Sequence, residues 1–187
     1  MTRNPRIRTI NLLVENNPGV LNRVSGMIRR RGFNIEELSV GPCETAGQSR
    51  MTLTVDAGHG EGDQVRKQLG KLIEVLESRD LTDSPMAARE LVLARVEAAT
   101  EDRGPLLAEL RERGGRVIES SPNEVIVELT ADPDEAAVFI KKLRAYKLKE
   151  LGRSGPVAMR GLRTTKPKKG EAANAEPATP LPWGDSI

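Results

Sequence analysis

The chain has 187 residues, and 29 Lys and Arg against 27 Asp and Glu leave a net charge of only +2. That balance gives no general electrostatic case for nucleic acid or membrane surfaces, and two Phe, one Trp and one Tyr are too few for a stacking reader of single strands. One cysteine (Cys43), one histidine (His59), no secretory segment ahead of the first strand and no apolar run near the roughly 18–20 residues of a membrane helix leave little room for a disulfide, a zinc site or a membrane span, so a cytoplasmic protein is expected.

Ile7–Val14 reads as a short apolar strand with β-branched members. Asn17-Pro18-Gly19 is a turn, and from Val20 the residues Val20, Leu21, Val24, Met27 and Ile28 recur at helical spacing. Gly32 supplies a left-handed stop for that helix. Ile35–Val40 and Met51–Val55 alternate as half-buried strands do, Gln64–Ile73 reads as a second helix, and Val75–Arg79 as a fourth strand. The order is β-α-β-β-α-β, the split βαβ or ferredoxin-like arrangement.

Residues 81–87 carry Thr, Asp, Ser and Pro and read as a linker. The same order then returns. Strands are predicted at Glu90–Val96, Arg116–Ser120, Val125–Leu129 and Lys147–Leu151, and helices at Leu106–Arg113 and Glu135–Leu143. LVENNPGVLNRV can be laid over RVEAATEDRGPLLAEL, and Arg31-Gly32-Phe33-Asn34 over Arg113-Gly114-Gly115-Arg116. The fold class expected is therefore α+β: two ferredoxin-like βαββαβ sandwich units in tandem, at residues 5–80 and 88–163. From 164 to 187 the chain is rich in Pro, Ala, Lys and Gly without apolar periodicity, the composition of a disordered tail, with Trp183 read as incidental.

The candidate site is the start of the first helix. The N–H groups of a first helical turn lack intrahelical partners and carry partial positive charge, which suits a carboxylate. Gly19, ahead of Val20 and Leu21, has no side chain to block a ligand's close approach. Asn16 precedes the turn, and Asn34 starts the second strand with Ile35 beside it; an amide serves either end of a zwitterion. In a split βαβ unit Asn34 lies at the far end of the helix from Gly19. Two copies with antiparallel helices would bring each Gly19 turn to the other's Asn34. The plainer role for the same residues is a tight turn at Gly19 and asparagines that cap turns. The second unit lacks both asparagines, with Glu101 or Asp102 near the first position and Arg116 at the second, so any ligand is expected in the first half.

The basic clusters Arg29–Arg31 and Lys166–Lys169 read as solvated faces, Cys43 as a small buried or edge residue, and His59 as a loop residue. There is no GxxxxGK[ST], GxSxG or HExxH, Gly26 and Gly32 form no dinucleotide fingerprint, and no residues form a nucleophile–base pair. Catalysis by this chain is not expected.

ENNPGVLNRVSGMIRRRGFNIEELSVGP followed by SRMTLTV closely resembles the amino-terminal ACT domain of the acetolactate synthase (acetohydroxyacid synthase) small, regulatory subunit. ARELVLARVE resembles the start of that family's second domain and LGRSGPVAMRGL its closing segment, so the resemblance spans about residues 5–163. It implies a non-catalytic regulator of branched-chain amino acid biosynthesis, dimeric through the ACT domain. The implied partner is a catalytic large subunit carrying thiamine diphosphate, magnesium and FAD, with no cofactor in this chain. It further implies feedback inhibition by valine, leucine or isoleucine bound between paired ACT domains, at Asn16, Gly19 and Asn34, with Val20, Leu21 and Ile35 adjoining. Met27-Ile28 stands where the family usually has an apolar residue then Phe, Glu37 where Ser is common, and Cys43 where Thr is frequent. The alternative function is a free-standing ACT-type amino acid sensor controlling transcription or another enzyme; no helix-turn-helix accompanies it. A purely structural assembly role is a third.

Overall fold

The computed structural model describes residues 6–57, 61–99, 101 and 103–162. His59, Asp102, Lys166–Lys169, Trp183 and the stretch read as a disordered tail lie outside the described residues.

The first unit runs β1 (Ile7–Glu15), α1 (Val20–Arg30), β2 (Asn34–Pro42), β3 (Gln48–Asp56), α2 (Gly62–Leu69) and β4 (Val75–Asp80). Its sheet has the order β2-β3-β1-β4, all antiparallel, so β2 and β4 are the edges. Strand alternation sends Ile10, Leu12 and Val14 of β1 and Met51, Leu53 and Val55 of β3 to one face. There they pack with Val20, Val24 and Ile28 of α1 and Val65 and Leu69 of α2. The helical stripe read from the sequence is thus the buried one, while Arg29–Arg31 stay exposed at the end of α1, where cations suit the helix dipole.

The second unit repeats the order: β5 (Met86–Glu97), α3 (Gly104–Glu112), β6 (Arg116–Ser120), β7 (Glu124–Ala131), α4 (Pro133–Leu143) and β8 (Lys147–Arg153), with β6-β7-β5-β8 in the sheet. Val92, Ala94, Val96, Val125, Val127 and Leu129 meet Leu106, Leu110, Phe139, Ile140 and Leu143. Asp132 caps α4 by accepting the Asp134 N–H at 3.0 Å, ahead of Pro133 at the first helical position.

Three elements differ from the sequence reading. Helix α2 ends at Leu69 instead of Ile73, because Gly70 follows and the chain turns back at once, with the Val75 N–H bonded to the Leu72 carbonyl; Ile73 is 89% exposed. Met86 and Ala87 are strand rather than linker, since β5 is 12 residues long. A ninth strand, β9 (Val157–Arg160), pairs with Met86–Arg89 at the start of β5. Periodicity over four residues carries too little signal to reveal such a strand.

The strand β9 sets how the units meet. The back face of the first sheet is polar, with Thr9, Asn11, Thr52 and Thr54, yet all four are buried. Asn11 Nδ2 donates to the Ala158 carbonyl at 2.9 Å, and the Ala158 N–H donates to Thr52 Oγ1 at 3.2 Å. Leu81, Ala88 and Ala158 add a small apolar cluster to that seam. A face that alternation alone assigns to water is therefore an internal joint, satisfied by hydrogen bonds as a buried polar surface must be.

Candidate functional site

Asn17, Pro18, Gly19 and Val20 form a turn closed from the Val20 N–H to the Asn17 carbonyl at 3.4 Å. Gly19 holds φ 86° and ψ −6° at its third position and is also the cap of α1. That is the type II geometry, which favours Pro then Gly, and it leaves the helix start without a side-chain cap. A side chain built at Gly19 would meet no atom within 4 Å, so the space above the turn is open. Asn16 is exposed, and its N–H is tied to the Gly47 carbonyl at 2.8 Å. Leu21 is 41% exposed beside the turn, whereas the Val20 side chain points into the core. Of the expected contacts, Val20 therefore has only its backbone at the surface.

Asn34 lies at the other end of the sheet. It pairs with Asp56, which on its other side pairs with Ile7, while the Asn16 turn follows Glu15. Eight residues of strand separate the two ends, about 25 Å at the usual rise. Within one chain the structure does not bring Asn16, Gly19 and Leu21 together with Asn34 and Ile35. Asn34 is exposed, and its Nδ2 donates to Glu36 Oε1 at 2.7 Å. Ile35 is half-buried and packs against the core of its unit. Cys43, half-exposed just past the β2 edge strand, contacts the Thr45 carbonyl at 3.8 Å. Among the described residues no cluster of three or more His, Cys, Asp or Glu could hold a metal, and no helix is long and apolar enough to cross a membrane.

Residues 10–77 match the family model described as an AHAS small subunit-like ACT domain, and residues 89–161 match that described as the small subunit of acetolactate synthase. This chain belongs to the acetolactate synthase small subunit family. A protein of Archaeoglobus fulgidus named as a probable acetolactate synthase small subunit is 46% identical over 151 residues, covering 81% of this chain and 94% of that one. The acetolactate synthase small subunit of Mycobacterium bovis is 36% identical over 166 residues, covering 87% and 99%. The crystal structure of the Thermotoga maritima small subunit superposes with a TM-score of 0.75 at 31% identity, covering 84% of this chain and 99% of that one.

The second half of this small-subunit chain shows what became of the equivalent helix start. The Ala98 N–H bonds to the Asn123 carbonyl as the Asn16 N–H bonds to Gly47, so the two loops match in layout. Where the first unit has Gly19 the second has Arg103 as the cap of α3, with φ −77°. Its side chain, buried with the rest of the residue, turns into the loop. Nε donates to the Ala98 carbonyl at 2.9 Å, Nη1 to Ser120 Oγ at 2.7 Å, and Nη2 to the carbonyls of Ser121 and Glu124. An internal guanidinium holds the loop that the first unit leaves open. Only Arg116 and the Glu101–Asp102 pair were weighed from sequence, because reading loops by position alone does not say which side chain folds inward.

Two further residues escaped the sequence reading. Glu90 is 1% exposed and is bonded through both carboxylate oxygens by the Arg153 guanidinium, 2.9 Å at Nη2. Arg153 also reaches Glu37 Oε1 of the first unit at 2.6 Å. Its guanidinium is held in the charged form more firmly than usual, chiefly by its hydrogen bonds to Glu90. The signal was present: Glu90 stands at an inward position of β5 between Ala88 and Val92, where a carboxylate requires a buried cation.

Replacing Gly19 by alanine is expected to destabilise the fold by about 1–2 kcal/mol, since the left-handed backbone disfavours any Cβ although the space is open. Urea unfolding of the two proteins reads that difference, and equal midpoints would mean the turn relaxes to another geometry.

Proposed function

We propose that this chain is the regulatory subunit of an acetolactate synthase, working with a catalytic large subunit that carries thiamine diphosphate, magnesium and FAD. In this reading it binds a branched-chain amino acid, valine, leucine or isoleucine, between two copies of the first unit and passes feedback inhibition to that partner. The observation that supports this reading is that Gly19 and Asn34 stand at opposite ends of one sheet, beside a strand whose outer side pairs with no other among the described residues.

Strand β2 is nine residues long and lies at the sheet edge, where its unpaired backbone groups invite a partner strand. Antiparallel pairing of two β2 edges about a two-fold axis sets the Asn34 end of one copy beside the Pro42 end of the other. That second end is level with Glu15 and the Asn16 turn, because Pro42 pairs with Ser49 and Glu15 with Gln48. A ligand carboxylate then rests at the Gly19–Leu21 helix start, and Asn34 of the other copy meets the ligand's polar end. Leu21 and Ile35 supply the apolar surface for an aliphatic side chain. An effector acts on the partner only through its different affinity for two conformations of the complex.

The test is thermal unfolding of the purified chain with each of the twenty amino acids. A ligand at one hundred times its Kd adds about 2.7 kcal/mol to the folded state. Valine, leucine or isoleucine is expected to raise the melting temperature. Asn34→Ala removes a hydrogen bond to a charged group, about 1.5–3 kcal/mol, or roughly 10- to 100-fold in affinity, and is expected to abolish most of the shift. An unchanged shift in Asn34→Ala rules Asn34 out of the site. Inhibition by valine in the reconstituted complex tests the regulatory role directly.

A further inference from the structure

Glu37 carries the ion pair by which β2 reaches the second unit. We infer that the Glu37–Arg153 pair relays occupancy of the effector site to the second unit and strengthens feedback inhibition in this chain. The inference rests on the reading of Asn34 and Ile35 as effector residues, and concerns what happens after the ligand has bound.

The geometry begins at Asn34. Its Nδ2 is committed to Glu36, and Glu36 is the extra residue of a bulge in β2: Asn34 pairs with Asp56, Ile35 with Val55, and Glu37 with Thr54. A bulge bends its strand locally and re-aims the side chains on either side of it. Asn34 keeps its second Nδ2 proton and its Oδ1 for a ligand, and because its first proton is held by Glu36, a ligand bound there is tied directly to the residue that forms the bulge. The next residue is Glu37, whose Oε2 accepts a hydrogen bond from Thr54 Oγ1 at 3.2 Å and whose Oε1 lies 2.6 Å from Arg153 Nη2. Arg153 is in turn fixed by the fully buried side chain of Glu90 on β5.

Close packing surrounds the pair. Just past Arg153, Gly155 has φ 67°, and a side chain there would press on Glu37 Cβ at 3.3 Å and the Leu38 N–H nitrogen at 3.4 Å. The chain then runs to Ala158, held by Asn11 and Thr52, and into β9 against β5. A change in the bulge therefore meets a guanidinium anchored in the other unit, across a half-buried contact with little room for slack. Glu37 and Arg153 are positioning residues in this scheme; neither touches the ligand.

Glu37→Gln tests it, because the amide keeps the volume and an acceptor for Thr54 while removing the charge that Arg153 reads, and the Glu90–Arg153 pair stays. The small subunit is reconstituted with its catalytic partner and titrated with valine, and valine binding to the small subunit alone is followed by calorimetry. The expected result is unchanged activation without valine, unchanged valine affinity of the small subunit, and a half-inhibiting concentration raised about five- to tenfold, within the usual range of allosteric coupling. Thr54→Val, which removes the other hydrogen bond of Glu37 but leaves the ion pair, should be inhibited like the natural chain. Inhibition of Glu37→Gln at the natural concentration overturns the relay, and so does loss of valine binding, which would make Glu37 part of the site. A natural chain that binds no branched-chain amino acid, alone or in the complex, overturns the effector reading and the relay together.

Discussion

Arg153→Ala is expected to destabilise the protein by about 3–5 kcal/mol, the largest single loss we anticipate. The side chain of Glu90 is fully buried, and both of its oxygens are bonded by the Arg153 guanidinium. Taking the cation away leaves a carboxylate in the joint between the two units with neither water nor a partner. Glu37 loses its ion pair at the same time, but its side chain is 21% exposed, so water offsets much of that loss. Lysine at 153 is expected to recover only part of the stability, because an ammonium cannot grip both carboxylate oxygens in the planar fork that arginine provides. The double variant Glu90→Leu with Arg153→Met should be far more stable than Arg153→Ala, since removing both charges removes the desolvation problem. Urea unfolding of the set decides the matter. A loss below about 1 kcal/mol in Arg153→Ala would mean that water or another cation reaches Glu90.

Arg103→Ala is expected to cost about 2–4 kcal/mol, confined to the second unit. The guanidinium ties the end of β5, through Ala98, to the turn between β6 and β7, through Ser120, Ser121 and Glu124. The Glu124 carbonyl keeps its bond from the Ser121 N–H at 2.9 Å, but the Ala98 and Ser121 carbonyls give up the donor that Arg103 provides. Hydrogen exchange is the informative measurement. Amides of Val125–Leu129 should lose protection while those of Met51–Val55 in the first unit keep theirs. Uniform loss across both sheets would show that the two units unfold as one. The substitution also bears on ligand number: Arg103 stands as the cap of α3 where the first unit has Gly19, and the second unit has no counterpart of Asn16 or Asn34, so it does not repeat the half-site. One effector half-site of that type per chain is the expected count.

Strand alternation and helical spacing were enough to derive the two βαββαβ units, because each is a periodicity carried by residues near one another in sequence. The stripe Val20, Val24, Ile28 is buried as a 3.6-residue period requires, and Ile10, Leu12 and Val14 as a period of two requires. The turn before α1 was equally legible, since Pro18-Gly19 specifies its own backbone angles. The separation of Gly19 from Asn34 followed from topology alone, and the pairing register bears it out. What lies between the units was not legible. Arg103 and Arg153 look like ordinary charged surface residues in a chain that is 30% charged, and the inward position of Glu90 asks for a cation without saying which; the partners lie 63, 17 and 116 positions away, Arg153 from Glu90, Ser120 from Arg103 and Glu37 from Arg153. Such pairings have no local signature, because nothing in the intervening residues is periodic with respect to them. The sequence by itself therefore determined the two βαββαβ units, the order of their elements, the family and the Pro18-Gly19 turn ahead of α1. Only the tertiary structure decided that β9 returns to cover the polar face of the first sheet, that Arg103 fills the second loop, and that one guanidinium joins a buried carboxylate to the strand carrying Asn34. Burial turns Glu90 and Arg103 from solvated decorations into groups that must be paired, and burial is a property of the assembled fold.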